Sequence, residues 1–243
     1  MPGSTTGPPM LREHELAGSA QGEIEAVRAE FIVPVASFRD PMFPGVTRCL
    51  PVPPPSTLRG MLAAATGRAS EPVPLGMSAW AEGGGIDAET YHPVNADGSN
   101  PAVGGRVRAV KGGMTIRDRP FLAMVHVTVW VPRPDGQRIA AALRRPVWGL
   151  RLGRSQDVVY LCSLARVMLS PAEEAVVGHV LAPVGGHADS GALTVRLSQT
   201  ISQDRLTGEF GDFLWCAEPA GRQAVAGAYR DGEQAVWLHV PHR

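Results

Sequence analysis

Six prolines fall within the sixteen residues Asp40–Pro55 (DPMFPGVTRCLPVPPP), and that density constrains the layout of the chain more than any other feature. Proline lacks an amide proton and clashes with the helical turn before it, so the stretch reads as a loop rather than a helix or a central strand. Upstream, Ala26–Phe38 (AVRAEFIVPVASF) mixes β-branched and aromatic residues at a partial period of two. It reads as a strand, with Pro34 pointing to an edge or a bulge. Downstream, Ser56 is suited to cap a helix. Leu58, Met61, Leu62 and Ala65 fall at i, i+3, i+4 and i+7, one apolar stripe on a short helix that Gly67 closes.

The rest of the chain extends this alternation. A strand near Val73–Glu82 precedes about 35 residues, Gly83–Asp118, that hold eight glycines and no sustained apolar period. An insertion of that length inside a domain is usually functional or disordered. Phe121–Val131 (FLAMVHVTVWV) is the clearest strand, with Val125, Val127, Val129 and Val131 alternating against His126, Thr128 and Trp130. Asp135–Arg145 reads as a helix with Ile139, Ala142 and Leu143 inward and Arg138, Arg144 and Arg145 on or near its polar face. Tyr160–Leu169 follows the loop GLRLGRSQD as another strand. The order predicts an α+β fold, a ferredoxin-like (RRM-like) βαββαβ domain over residues 23–170 with an extended thumb hairpin at about 83–118. Residues 1–22, rich in Pro, Gly, Ser and Thr, read as a flexible extension. Residues 171–243 read as a smaller β-rich region with strands at Ala175–Leu181, Leu193–Leu197, Glu209–Cys216 and Gln234–Val240. Whether this half is a degenerate second copy of the same pattern stays open.

Several function classes find no support. The longest apolar stretch, Phe121–Pro132, is broken by His126 and Thr128 and falls short of the roughly 20 residues that cross a bilayer. Met1–Pro9 has no basic start and no apolar segment. Cys49, Cys162 and Cys216 are odd in number and far apart, which argues against a disulfide framework and against zinc, and makes the cytoplasm the expected home. There is no G-x-x-x-x-G-K-[ST], G-x-S-x-G or H-E-x-x-H motif. His126, opposite the valines, reads as a satisfied structural histidine. No cofactor or metal is expected.

Charge is more informative when divided along the chain. Arg39–Arg154 carries 15 Lys plus Arg against 8 Asp plus Glu, whereas the segments before and after it are each net acidic, so a basic centre sits between acidic ends. Only Lys111 among the 23 basic residues is a lysine. GC-rich coding accounts for that ratio but not for the clustering. Within the insertion, Gly104–Arg119 carries Arg106, Arg108, Lys111, Arg117 and Arg119 against Asp118 alone. Residues 106 and 108 share one face of an extended strand, and the flanking glycines allow close approach to a phosphate. The segment reads as a hairpin arm that grips a polyanion; the competing reading is a solvated surface loop.

Ser37–Pro41 (SFRDP), the proline run Pro51–Pro55, the stretch STLRGMLAAATG from Ser56 to Gly67 and the later WGLRLGRSQD from Trp148 to Asp157 together carry a resemblance. They resemble the CRISPR-associated RAMP-superfamily subunit that caps the 5′ handle of the guide RNA in type I Cascade, the Cas-five family. The resemblance runs in order from Ala26 to about Leu169, and Gln156 stands where that family commonly has an acid. It implies a non-catalytic subunit that binds crRNA, contacts the Cascade backbone subunits and the large subunit, and meets target DNA only indirectly. Candidate RNA contacts are then Arg39, Arg59, Arg106, Arg108, Lys111, Arg117, Arg119, Arg154 and Ser155. Arg59 lies close enough to the helix N-terminus to share a phosphate with its free N–H groups, or is a plain surface arginine whose removal leaves stability nearly unchanged. Phe38 and Phe43 read as packing residues or as stacking platforms for bases. Two rivals remain. One branch of the resembling family cleaves precursor RNA, for which Tyr91, His92 and Lys111 offer a base and cations; the other rival is an interaction module that binds no nucleic acid.

Overall fold

In the computed structural model, which describes residues 22–43, 48–91, 115–204 and 206–241, the chain forms eleven elements. They are β1 (Ile24–Ala36), α1 (Pro55–Thr66), β2 (Gly76–Tyr91), β3 (Thr115–Pro132), α2 (Asp135–Arg144), β4 (Tyr160–Val177), β5 (Ala182–Pro183), β6 (Leu193–Ile201), β7 (Gly208–Trp215), β8 (Gly221–Asp231) and β9 (Gln234–Val236). The main sheet runs β2-β3-β1-β4-β8-β9, and a three-stranded sheet runs β5-β7-β6. β1 is central, antiparallel to both β3 and β4. Its alternation puts Val27, Ala29, Phe31 and Val33 on the face shared with Val125, Val127, Val129 and Val131, all buried. Leu58, Met61, Leu62 and Ala65 of α1 and Ile139 and Leu143 of α2 join Phe31, Val33 and the β3 valines in one core, as the two periodicities require.

The proline run is buried from Pro53 to Pro55. A buried loop normally strands its amide protons, but three successive prolines have none to satisfy. The expected cap at Ser56 is not used: α1 begins at Pro55 behind Pro54, without a side-chain cap, because a proline at the first helical position removes a donor that would need one. The Ser56 hydroxyl instead sits 2.6 Å from that of Ser198 on β6. Gly67 closes the helix in the left-handed conformation, as expected. Pro34 lies on a central strand, yet β4 pairing stops at Ile32, so Pro34 is locally at an edge. Its neighbours Val33 and Val35 face Val125 and Ala123 across Met124, whose positive φ marks an irregularity there.

Strand boundaries differ from those read in the sequence: Ala175–Leu181 is no separate strand, β8 was not foreseen, the last strand stops at Val236, and three larger shifts bear on the site. β2 continues through Gly83, Gly84 and Gly85 to Tyr91, and β3 begins at Thr115, so the described parts of the insertion are two paired strands, as an extended hairpin requires. A side chain at Gly85 would meet the Phe121 ring at 2.8 Å, so the glycines leave room for an aromatic to lie across the strand. β4 passes the expected boundary at residue 170 and runs to Val177, pairing with β1 along its first half and β8 along its second. The second half holds no helix among the described residues and is therefore no copy of the first.

Arg59 is corrected most sharply. It is only 5% exposed, on the inner side of α1. Its Nε donates to the Val73 carbonyl at 3.0 Å, Nη1 to that of Gln199 at 2.8 Å and Nη2 to that of His239 at 2.8 Å. It joins α1 to the approach to β2, to β6 and to the C-terminal segment, and has no fork left for a phosphate. His239 is itself buried, paired through its backbone with Leu75, and its Nε2 lies 2.9 Å from the Leu181 carbonyl. Burial, with Arg59 nearby, pulls the imidazole down to about 4. Its ring is therefore neutral at pH 7, with Nε2–H donating to Leu181.

Arg59→Ala removes three charge-assisted hydrogen bonds from the interior, so it should lower stability by about 3 kcal/mol and the Tm by roughly 10 °C. An unchanged Tm would return Arg59 to the surface role. His239 supplies a pH test. Its folded pKa lies below the ordinary 6.5, so on acidification the unfolded chain takes up the proton first, and stability should fall between pH 6.5 and about 4. The loss is about 3 kcal/mol at roughly 1.4 kcal/mol per pH unit. Urea unfolding across that window should show a steeper decline for the wild type than for His239→Gln; equal declines would refute it.

Candidate nucleic-acid interface

The β2–β3 hairpin leaves the sheet beside the end of β1, and a chain of polar contacts holds its root. Ser37 follows β1 directly. Its amide donates to Asp157 Oδ2 at 3.1 Å, and its hydroxyl donates to the Pro120 carbonyl at 2.7 Å while accepting from Arg119 Nε at 2.8 Å. Asp157 Oδ2 also accepts the Arg154 amide at 2.7 Å, and Arg154 Nε lies 3.1 Å from Oδ1 of the same carboxylate. Arg154 Nη1 then reaches across to Asp87 on β2 at 3.1 Å. Burial works against the Arg154 charge, but Asp87 and Asp157 outweigh it and hold the guanidinium above its ordinary value. Gly153 makes the turn possible. Its φ is +110°, and a side chain there would meet Asp157 Oδ2 at 2.8 Å and the Ser37 backbone at 3.1 Å.

The sequence-predicted contacts divide accordingly. Arg119 and Arg154 come together at the hairpin root, bound to acids and to Ser37 rather than displayed to solvent; the side chains are 14% and 8% exposed. Arg119 also approaches Glu89 at 3.6 Å. Arg117 is exposed and opposes Glu89 across the strands. Arg39 is exposed and bridges Cys49 through the backbone. Ser155 is exposed, with its hydroxyl 3.4 Å from Gln156. Arg106, Arg108, Lys111 and His92 lie outside the described residues. Tyr91 is the last residue of β2. Phe38 is a core residue, whereas Phe43 is exposed, with Arg48 5.2 Å above its ring.

Sequence reasoning missed Ser37, Asp157 and Asp87. The available signal was a glycine four residues before an aspartate in LGRSQD, the spacing of a carboxylate that folds back on its own turn. The carboxylate work at this turn falls to Asp157, and Gln156 stays exposed. His126 is stacked on Trp80 at 4.2 Å and lies 2.8 Å from Glu82, as a structural histidine should. Cys49, Cys162 and Cys216 are free thiols, and no metal-ligating cluster occurs among the described residues.

The fold has known relatives. A chain of a CRISPR RNA-guided surveillance complex superposes with a TM-score of 0.53 at 21% identity, covering 81% of this chain and 90% of that one. A CRISPR protein from Archaeoglobus fulgidus covers 90% of this chain and 100% of its own at 12% identity, with a TM-score of 0.44. No curated protein sequence is similar enough to match. Residues 26–205 match the family described as CRISPR-associated protein (Cas_Cas5), a span that takes in nearly all of β1 through β6, both helices and the hairpin root just described, and the chain belongs to that family.

Proposed function

We propose that this chain is a non-catalytic, RNA-binding subunit of a type I CRISPR Cascade surveillance complex that holds the 5′ handle of crRNA. In this reading it contacts the backbone subunits and the large subunit, meets target DNA only through them, and acts in the cytoplasm in antiviral defence. Family membership supports the complex, as does the surveillance assembly from which the structural relative comes. The observation that carries the RNA reading is the rooted hairpin: β2 and β3 stay paired past Leu122, the last partner of β1, to Tyr91 and Thr115, and the intervening sequence holds Arg106, Arg108 and Lys111. A polyanion is gripped best by an arm that is rigid at its base and basic toward its tip. The ferredoxin-like assignment belongs to the same proposal, supported by the order β2-β3-β1-β4 with both helices crossing between strands.

Reversing Arg106 and Arg108 to Glu should cut RNA association at least about tenfold and leave base preference unaltered, because phosphate contacts position without specifying. Unchanged RNA content in the purified complex would sink the arm. Given precursor repeat RNA without divalent metal, the purified protein should bind it with an affinity that falls steeply as salt rises, and leave it uncut. Cleavage at one phosphodiester, abolished by His92→Ala or Tyr91→Phe, would instead make the chain an endoribonuclease.

A further inference from the structure

The loop from the end of α2 to β4 carries a feature that the hairpin does not use. Trp148 is 66% exposed and its neighbour Val147 60%. They are not loose: the Val147 and Trp148 amides donate to the Ala65 and Ala64 carbonyls at 3.0 and 3.1 Å, fastening the loop to the last turn of α1. Arg144, Arg145 and Arg151, three or four residues from it in sequence, are all exposed, and from residue 136 to 156 the sequence has no acid. Elsewhere arginines such as Arg28, Arg133, Arg138 and Arg196 hold carboxylates. Among the described residues these three hold none.

Arginines at the end of α2 complement its dipole, which accounts for Arg144 and Arg145. It accounts neither for Arg151 nor for an indole fixed in water, which forfeits the burial that normally stabilises a tryptophan. The surroundings choose the occupant. Trp and Arg also serve as anchors at protein interfaces, but three exposed guanidinium groups in a stretch without an acid call for a partner that carries several negative charges, and a nucleic-acid backbone carries one at every nucleotide. A rigid aromatic face beside unpaired cations is the arrangement that takes a stacked base and its flanking phosphates.

We infer that Trp148, with Arg144, Arg145 and Arg151, is a docking site for one or more unpaired nucleotides of single-stranded RNA. This rests on the RNA-binding reading above and assigns it a second contact. The loop is continuous with the hairpin root, since Arg151 bridges Val158 and the turn between them carries Arg154 and Asp157. An RNA held by the arm therefore has a fixed surface beside it on which to continue.

Trp148 can report on itself. Trp130, Trp215 and Trp237 are buried and Trp80 is stacked on His126, so quenching that is lost in Trp148→Phe belongs to Trp148. Titrating the full-length protein with a short unstructured oligoribonucleotide should quench that emission. Trp148→Ala should weaken binding about tenfold, Trp148→Phe should recover most of the loss, and Arg144→Gln with Arg145→Gln should lower the slope of log affinity against log salt by about 1 to 2. Wild-type affinity in Trp148→Ala would overturn this site alone, provided that Arg106→Glu with Arg108→Glu still loses RNA. Intact RNA affinity with failure to co-purify with neighbouring subunits would give the patch to an acidic protein surface, and also overturn it. A wild-type protein that binds no RNA at all would overturn this site and the RNA-binding reading together.

Discussion

One buried guanidinium holds four separate stretches of this chain in place. Arg59 projects from α1 and spends its donors on three carbonyls from three different segments, at 2.8 to 3.0 Å. Only arginine presents several donors spread through one rigid plane, whereas the compact ammonium of a lysine could not reach all three carbonyls at once. Burial lowers its pKa to about 10, which still leaves it charged at pH 7. The C-terminal segment is thereby pinned beside β2, and β6 against α1, so the half of the chain beyond Pro171 is built into the same core as the first. Leu197, Phe213 and Trp215 belong to that core, and Trp215 Nε1 donates to the Ala79 carbonyl at 2.9 Å.

The same chemistry divides the basic centre in two. Arg59, Arg119, Arg138 and Arg154 act inward. Arg138 forms a two-pronged pair with buried Glu71 at 2.6 and 2.8 Å, and Arg119 and Arg154 root the hairpin. Arg144, Arg145 and Arg151 are exposed, with no acid paired to them among the described residues. A net charge counted along sequence cannot separate these groups, because a guanidinium tied to a carboxylate contributes little to the field outside. The region's outward field is carried by fewer residues than its formal charge implies.

Much of the fold was legible because its periodicities are strong. Val125 to Val131 alternate cleanly, and the α1 stripe from Leu58 to Ala65 repeats at helical spacing, so burial could be read from spacing alone. What stayed hidden has a common cause. β8 (GRQAVAGAYRD) and the glycine-rich end of β2 have low strand propensity; partner strands and the Phe121 ring, not their own side chains, make them extended. Arg59 misled for a related reason. Its position near a helix start signals an anion site, but whether it faces out is decided by carbonyls at residues 73, 199 and 239, which sequence distance conceals.

The hairpin root shows how such distant contacts fix a projecting element. Ser37, Asp87, Arg119, Arg154 and Asp157 come from β1's end, both hairpin strands and the turn before β4, and no two adjacent links are neighbours in sequence except Arg154 and Asp157. Isolated two-stranded ribbons are marginal in water, so a hairpin extending beyond its sheet keeps a direction only if its base is clamped. The Asp157 carboxylate does this by binding the Ser37 amide and the Arg154 backbone and side chain at once, while Gly153 lets the turn close around it. The loop bearing Trp148 ends in this same turn. The exposed indole and the arm therefore share one rigid footing, and an RNA that touched both would meet surfaces whose separation is set by the fold rather than by the ligand.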